Sequence, residues 1–203
     1  MKILLCAFDP FGGESINPAL VAVKKANFES VTVEKLEVPT VFYRSVEVVT
    51  AKIDELQPDA VIMIGQAGGR ANVTPERVAI NISDASIDDN EGNRPCDEPI
   101  EKDAPAAYFA TLPIKRIVAE LKVANIPSTI SNSAGTFVCN HLMYGVLNHI
   151  AKMSYKTLAG FIHIPYLPEQ TVNKENMPSL PLGDNVRAIE IIVKTVAESI
   201  SAT

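Results

Sequence analysis

Three cysteines and three histidines are the side chains of this sequence best suited to nucleophilic or metal chemistry. Cys6, Cys96 and Cys139 form no CxxC pair and leave one over. That spacing is neither a disulfide framework nor a zinc-ligand set, and no metal is expected. Cys6 lies inside the apolar run 2–8 and reads as a small buried hydrophobe. Cys96 lies within the acidic stretch 91–101, where negative neighbours oppose a thiolate. Cys139 follows the Gly-containing turn 133–136, in or near the first turn of a predicted helix. Unpaired amides and the helix dipole there favour a thiolate and lower its pKa. The alternative is a cysteine simply buried beside Phe137 and Val138.

A cysteine nucleophile needs a base. His141 is two positions beyond Cys139, so on a helix it points roughly the opposite way. His149 is ten positions on, about 15 Å along a helix axis. His163 lies near the end of a separate apolar strand, from which a side chain can meet a helix start; flanked by Ile162 and Ile164, it can also be read as a core histidine. Elimination leaves the pair Cys139 and His163. A third residue should orient the imidazole, and Glu76, Asp84, Asp88, Asp89 and Glu91 all compete for that place. Spacing does not choose among them.

These side chains need a scaffold. Apolar runs alternate with amphipathic segments, the pattern of an α/β fold with helices on both faces of a sheet. Strands are predicted at 2–8, 31–38, 59–65, 78–82, 128–133 and 158–164. Helices are predicted at 17–27, with Asn17 as cap and Pro18 in the first turn, and at 45–56, 113–125, 137–152 and 185–199. Residues 84–105 read as a long polar surface excursion, and 168–184, with three prolines, as another loop. The expectation is a single domain, 1–203, built on an open twisted mixed sheet. Ligands bind such sheets beyond the carboxyl ends of the strands. Four strand ends here lead into loops of unusual composition: 8–13, 65–70, 131–141 and 161–166. Their Gly-Gly pairs match neither GxGxxG nor GxxxxGK[ST], so they read as tight turns and no cofactor is expected.

The formal net charge is −6, with 47% hydrophobic and 21% charged residues. An acidic balance argues against nucleic-acid binding and against anionic membranes. No run approaches eighteen apolar residues, and the strand-like start lacks the pattern of a secretory signal, so a cytoplasmic protein is expected.

The chain resembles the pyroglutamyl peptidase type I (pyrrolidone carboxyl peptidase) family of cysteine peptidases. The segments that carry the resemblance run in order. They are Phe8-Asp9-Pro10-Phe11-Gly12-Gly13-Glu14 with Asn17-Pro18, Val38-Pro39-Thr40-Val41-Phe42-Tyr43, and Gly65-Gln66-Ala67-Gly68-Gly69-Arg70. Next come Pro75-Glu76-Arg77-Val78-Ala79-Ile80-Asn81, Asp89-Asn90-Glu91-Gly92 and Leu112-Pro113-Ile114-Lys115. Ser133-Ala134-Gly135-Thr136-Phe137-Val138-Cys139-Asn140 and Gly160-Phe161-Ile162-His163-Ile164-Pro165-Tyr166, with Pro168-Glu169-Gln170, complete the set. The resemblance implies Glu76, Cys139 and His163 as a catalytic triad. It implies a pyroglutamyl pocket of Phe8, Phe11, Thr40, Ile87, Phe137 and Val138, with Asn17 and Gln66 as polar groups near the ring and the substrate backbone. It also implies peptides with an N-terminal pyroglutamate as substrates, no metal or cofactor, and a homotetramer. One departure stands out: relatives commonly carry Arg where this chain has Ser86.

The chemistry suits these residue types. Pyroglutamate is a flat, uncharged lactam without an α-ammonium group, so apolar walls with a few hydrogen-bonding groups can read it. Uncyclised Glu would leave its charge desolvated without a partner. Two other readings are a nucleoside phosphorylase, which would be phosphate-dependent and indifferent to thiol alkylation, and a lactam-binding protein without turnover. Cys139 and His163 at separate strand ends favour the enzyme.

Overall fold

The computed structural model describes residues 1–202. The elements, in chain order, are β1 (Lys2–Phe8), α1 (Pro18–Lys25), β2 (Thr32–Val38), α2 (Arg44–Leu56), β3 (Ala60–Gln66), β4 (Thr74–Pro75) and β5 (Val78–Ile80). There follow β6 (Ala107–Phe109), α3 (Ile114–Val123), α4 (Val138–Lys152), β7 (Leu158–Ile164), α5 (Pro168–Thr171) and α6 (Leu182–Ser201). The main sheet has the order β2-β1-β3-β7-β4, parallel except for the antiparallel pair β4–β7. It is therefore mixed, as expected, with helices on both faces. β5 and β6 form a separate two-stranded sheet.

The alternation of side chains along a strand divides the core in two. Ile3, Leu5, Ala60, Ile62, Ile162 and Ile164 face one side, packed with residues of α1, α3 and α6. Leu4, Cys6, Phe8, Val61, Met63, Ala159 and Phe161 face the other, packed with residues of α2 and α4. The central strands are buried on both faces, which is why they read as continuous apolar runs. α1 begins as its cap predicts: the Asn17 side chain accepts a hydrogen bond from the Ala19 amide at 3.0 Å. Among the described residues no helix is long and apolar enough to cross a membrane.

The sequence expectation fails at 128–133, which is not a strand of the sheet. Residues 127–131 do run beside 73–77, through Val73 N to Pro127 O, Thr129 N to Val73 O, Ser131 N to Pro75 O and Arg77 N to Ser131 O. Pro75 has no amide hydrogen, so the ladder breaks in its middle and only two isolated bridges remain. The segment 78–82 pairs with β6 rather than joining the main sheet. α6 starts three residues earlier than the predicted 185, and the 168–184 loop holds the short α5.

α2 and α4 approach closely at Gly145. A methyl group there would lie 2.6 and 2.7 Å from the two γ-carbons of Val46. Gly145→Ala should therefore destabilise the fold by about 1–3 kcal/mol through overpacking. Val46→Ala in the same chain should recover part of that loss. Urea unfolding of the parent and the two variants checks both outcomes.

Candidate active site

The register of β4 against β7 places the acid beside the imidazole. Thr74 pairs with His163, Pro75 with Ile162, and the Glu76 amide donates to Phe161 O at 2.8 Å. Opposed residues of an antiparallel pair share a face, so Glu76, Phe161 and His163 all project to the α4 side. There His163 Nδ1 donates to Glu76 Oε1 at 2.7 Å. Carrying the proton on Nδ1 leaves Nε2 as the free acceptor. Both side chains are buried, Glu76 completely. Of the competing carboxylates, Asp89 is bound by Phe42, Glu91 and Asn93, and the Asp84 carboxylate accepts from the Asp97 amide.

Across β7, His163 pairs with Gly65 of β3. Register partners on parallel strands also share a face, so whatever lies over Gly65 lies beside His163. A methyl group at Gly65 would meet Cys139 Sγ at 3.3 Å and the Phe161 ring at 2.6 Å. Glycine at this position lets the sulfur settle onto the sheet next to the imidazole. The Phe161 and His163 rings are 4.8 Å apart, centroid to centroid.

Cys139 is the second residue of α4, and the start of that helix has no side-chain cap. Its leading amides are thus free of intrahelical partners. The helix start is pinned from both sides. Thr136 O accepts from the Asp84 amide at 3.0 Å, and Thr136 Oγ1 donates to Asp84 O at 2.7 Å. Asn140 binds the Ile80 amide and the carbonyls of Ile80 and Ile82 at 2.9–3.0 Å. His141 is a clamp as well. Its Nε2 accepts from the Tyr43 amide at 3.1 Å, and its Nδ1 meets Ser83 Oγ at 2.8 Å. His149 is held at the surface by Asp54 at 2.8 Å. Neither competes with His163.

Burial works against the thiolate expected at Cys139. Burial pushes the thiol up to about 12 and the Glu76 charge adds to this, against Arg70 and the residue's own amide. The dipole of the helix start loses to desolvation. His163 is held below its ordinary value, chiefly by burial and also by Arg70, although the Glu76 hydrogen bond and charge oppose this. Burial raises Glu76, but its hydrogen bond to His163, the imidazole's charge and the contacts from Ser131 and Arg70 together leave it lowered. The resting site is a neutral thiol, a neutral imidazole and a carboxylate paired with Arg70.

Beside it lies an aromatic wall. Phe11 and Phe137 are 6.1 Å apart, Phe42 and Phe137 5.3 Å edge-on, and Phe8 and Phe161 6.2 Å. Val138 is fully buried beneath the wall, and Ile87 from the 84–105 excursion reaches within 3.8 Å of a methyl group placed at Gly12. Thr40 and Asn17 brace the 8–13 loop. Thr40 donates from its amide and hydroxyl to Asp9 Oδ1, both at 2.7 Å, and Asn17 Nδ2 donates to Asp9 O at 3.1 Å. Gln66 Oε1 accepts from Gln170 Nε2 at 2.9 Å. Sequence reasoning missed Arg70, Gly65, Phe42, Phe161 and Asp9 as site residues, although all but Phe42 lie within the strand-end stretches it singled out. Among the described residues no three His, Cys, Asp or Glu side chains converge as metal ligands do.

The family model for pyroglutamyl peptidase matches residues 1–199. The chain belongs to the pyroglutamyl peptidase family. It is a cysteine-type hydrolase of that family. It is 59% identical over 200 residues to a pyrrolidone-carboxylate peptidase of Thermoanaerobacter sp., covering 98% of each chain. A Clostridium perfringens pyrrolidone-carboxylate peptidase is 56% identical over 199 residues, covering 97% of this chain and 93% of the relative. Among solved structures, Bacillus amyloliquefaciens pyroglutamyl peptidase I superposes with a TM-score of 0.94 at 50% identity, covering 97% of each chain. A mutant pyrrolidone carboxyl peptidase of Pyrococcus furiosus gives 0.93 at 40% identity, over 98% of this chain and 100% of that one.

The clamp at His141 has a consequence for stability. Burial lowers its pKa to about 4 from 6.5, so the folded protein holds it neutral where an unfolded chain would protonate it. Its stabilisation is complete above pH 6.5 and is lost as pH falls towards 4. The loss should reach about 3 kcal/mol, and His163, lowered in the same direction, adds to it. Urea unfolding at pH 7, 6 and 5 should show this decline, with a shallower slope for His141→Gln.

Proposed function

We propose that this chain, acting as one peptidase domain over 1–203, removes an N-terminal pyroglutamyl residue from peptides through Cys139, His163 and Glu76. The single observation that carries the reading is the one-face arrangement: Glu76 bonded to His163, and the Cys139 sulfur seated over Gly65 beside it. The aromatic wall of Phe8, Phe11 and Phe137, with Val138, Ile87 and Thr40, suits a flat neutral lactam. The polar groups offered to its ring and to the adjoining backbone come from Asn17 and Gln66. Gln66 is the better placed, since its Nε2 has no partner among the described residues while its Oε1 is held by Gln170.

The reaction starts from the neutral pair. As sulfur attacks the pyroglutamyl carbonyl, His163 Nε2 takes the thiol proton. The uncapped amides of the α4 start face the growing oxyanion, each donor being worth about 3–4 kcal/mol. The imidazolium is stabilised by Glu76 through Nδ1–H. It then passes its proton to the departing amine as the C–N bond breaks, leaving a thioester. Water, deprotonated by the same imidazole, attacks that thioester; free pyroglutamate leaves and the proton returns to sulfur. Protonation of the imidazole is delayed to below its ordinary 6.5, so the base survives into mildly acid solution. The family resemblance further supports a homotetramer in the cytoplasm, which light scattering on the purified protein tests.

On a chromogenic pyroglutamyl amide, Cys139→Ala and His163→Ala should each lower kcat by roughly 10⁴-fold or more, and Glu76→Gln by about 10²–10⁴-fold. Full activity in Cys139→Ala would end the assignment, and chelators should leave the parent rate unchanged.

Alkylation reports the resting state of the sulfur. With the thiol raised to about 12, iodoacetamide inactivation of free enzyme should still be accelerating at pH 9. A plateau reached by pH 7 would show a resting thiolate instead.

A further inference from the structure

The two oxygens of the Glu76 carboxylate are unequally used. Oε1 accepts from His163 Nδ1 at 2.7 Å and from Arg70 Nη1 at 2.6 Å. Oε2 is buried and has no hydrogen-bond partner. The imidazole and the guanidinium therefore share one oxygen. Arg70 Nη1 also donates to Thr74 Oγ1 at 2.8 Å, whose hydroxyl is 3.5 Å from His163 O, and Nη2 donates to Ser133 O at 3.1 Å. One planar group thus touches the carboxylate that orients His163, the residue paired with His163 across the sheet, and the segment leading into the helix of Cys139. The side chain is 31% exposed, along an open cavity whose lining includes Asn72, Thr129, Ser131 and Asn132.

We propose that Arg70 is a positioning residue for this reaction: by holding the same Glu76 oxygen that receives the imidazole N–H, it fixes the orientation of His163 and limits the negative charge that Glu76 can offer it. The proposal rests on the assignment of Glu76 and His163 given above. Its physical basis is a balance. A buried carboxylate with an imidazole as its sole partner would pull that imidazole further toward its protonated form, and a protonated His163 cannot accept the thiol proton. A guanidinium on the same oxygen removes part of that pull while leaving enough to steady the imidazolium that forms during the reaction. The groups facing His163 are Glu76 beyond β4, Arg70 from the loop after β3, Cys139 from α4 and the apolar Phe161 ring of its own strand. Burial keeps the thiol neutral, so Glu76 and Arg70 are the two charges that set the balance. Lysine is no equivalent, since a compact ammonium lacks the planar fork that serves Thr74, Glu76 and Ser133 together.

The test measures kcat, KM and the pH profile of kcat/KM on a pyroglutamyl amide for the parent, Arg70→Gln, Arg70→Lys, Glu76→Gln and the double variant Arg70→Gln/Glu76→Gln. With the guanidinium gone, Glu76 favours the imidazolium more strongly, so the acid limb of Arg70→Gln should move to higher pH by about half a unit or more. Its kcat should fall roughly ten-fold or more with KM within about two-fold. Arg70→Lys should keep the limb near its parental position while losing part of kcat. Losses from Arg70→Gln and Glu76→Gln should be non-additive, because one acts through the other. A limb that stays put in Arg70→Gln, or a parental kcat in both Arg70 variants, overturns the proposal. If Arg70→Gln fails to fold, Arg70→Lys decides: a limb displaced as far as that of Glu76→Gln, or an unchanged kcat, rejects it. An unaffected rate in Glu76→Gln alone would instead sink the underlying assignment of the triad.

Discussion

A carboxylate with no solvent exposure governs this site. Burying an ionised group costs several kcal/mol unless it is paired and hydrogen-bonded. Glu76 meets that condition with an imidazole and a guanidinium on one oxygen. Each partner then requires its own support. His163 needs β7 and its antiparallel neighbour β4 in register, and Arg70 needs the loop after β3 to turn back on itself. Pro75 leaves a gap in the hydrogen bonds towards 127–131, yet its carbonyl still accepts from Ser131 and so ties that segment to the sheet edge. The chain from 131 to 137 leaves this edge for the helix that bears the sulfur.

The sulfur is governed by a different requirement. Three consecutive residues at the start of α4 point in three directions, about 100° apart on a helix. Cys139 faces the sheet, while Asn140 and His141 are spent on carbonyls, amides and a serine hydroxyl. Their bonds fix the helix without any cap at its first turn, which leaves the leading amides available. A conventional Ser or Asp cap would fill the place where the proposed oxyanion gathers charge.

Much of this was legible in the sequence, for identifiable reasons. The buried strands are continuous apolar runs, and three histidines are few enough for elimination to leave His163. The helix start at Cys139 announced itself through the turn before it. The acid was not legible from spacing: Glu76 follows a two-residue strand too short to show any periodicity, and several carboxylates nearby were equally plausible until their partners were known. Nor was the state of the sulfur. A helix dipole can be inferred from a turn and a run of residues, but the depth of packing against Gly65 and Phe161 depends on strands distant in the chain, and that depth decides the outcome. The 128–133 stretch looked like a strand because most of its ladder exists; a proline in its neighbour interrupts that ladder in the middle.

The packing over the nucleophile also bears on durability. Peroxides and stray electrophiles attack ionised sulfur at the surface. Cys139, protonated and largely enclosed, is a poor target while the site is vacant, whereas Cys96 lies open on the polar excursion. Oxidative damage should therefore fall first on a thiol that catalysis does not use, and the working one stays dormant until a peptide arrives.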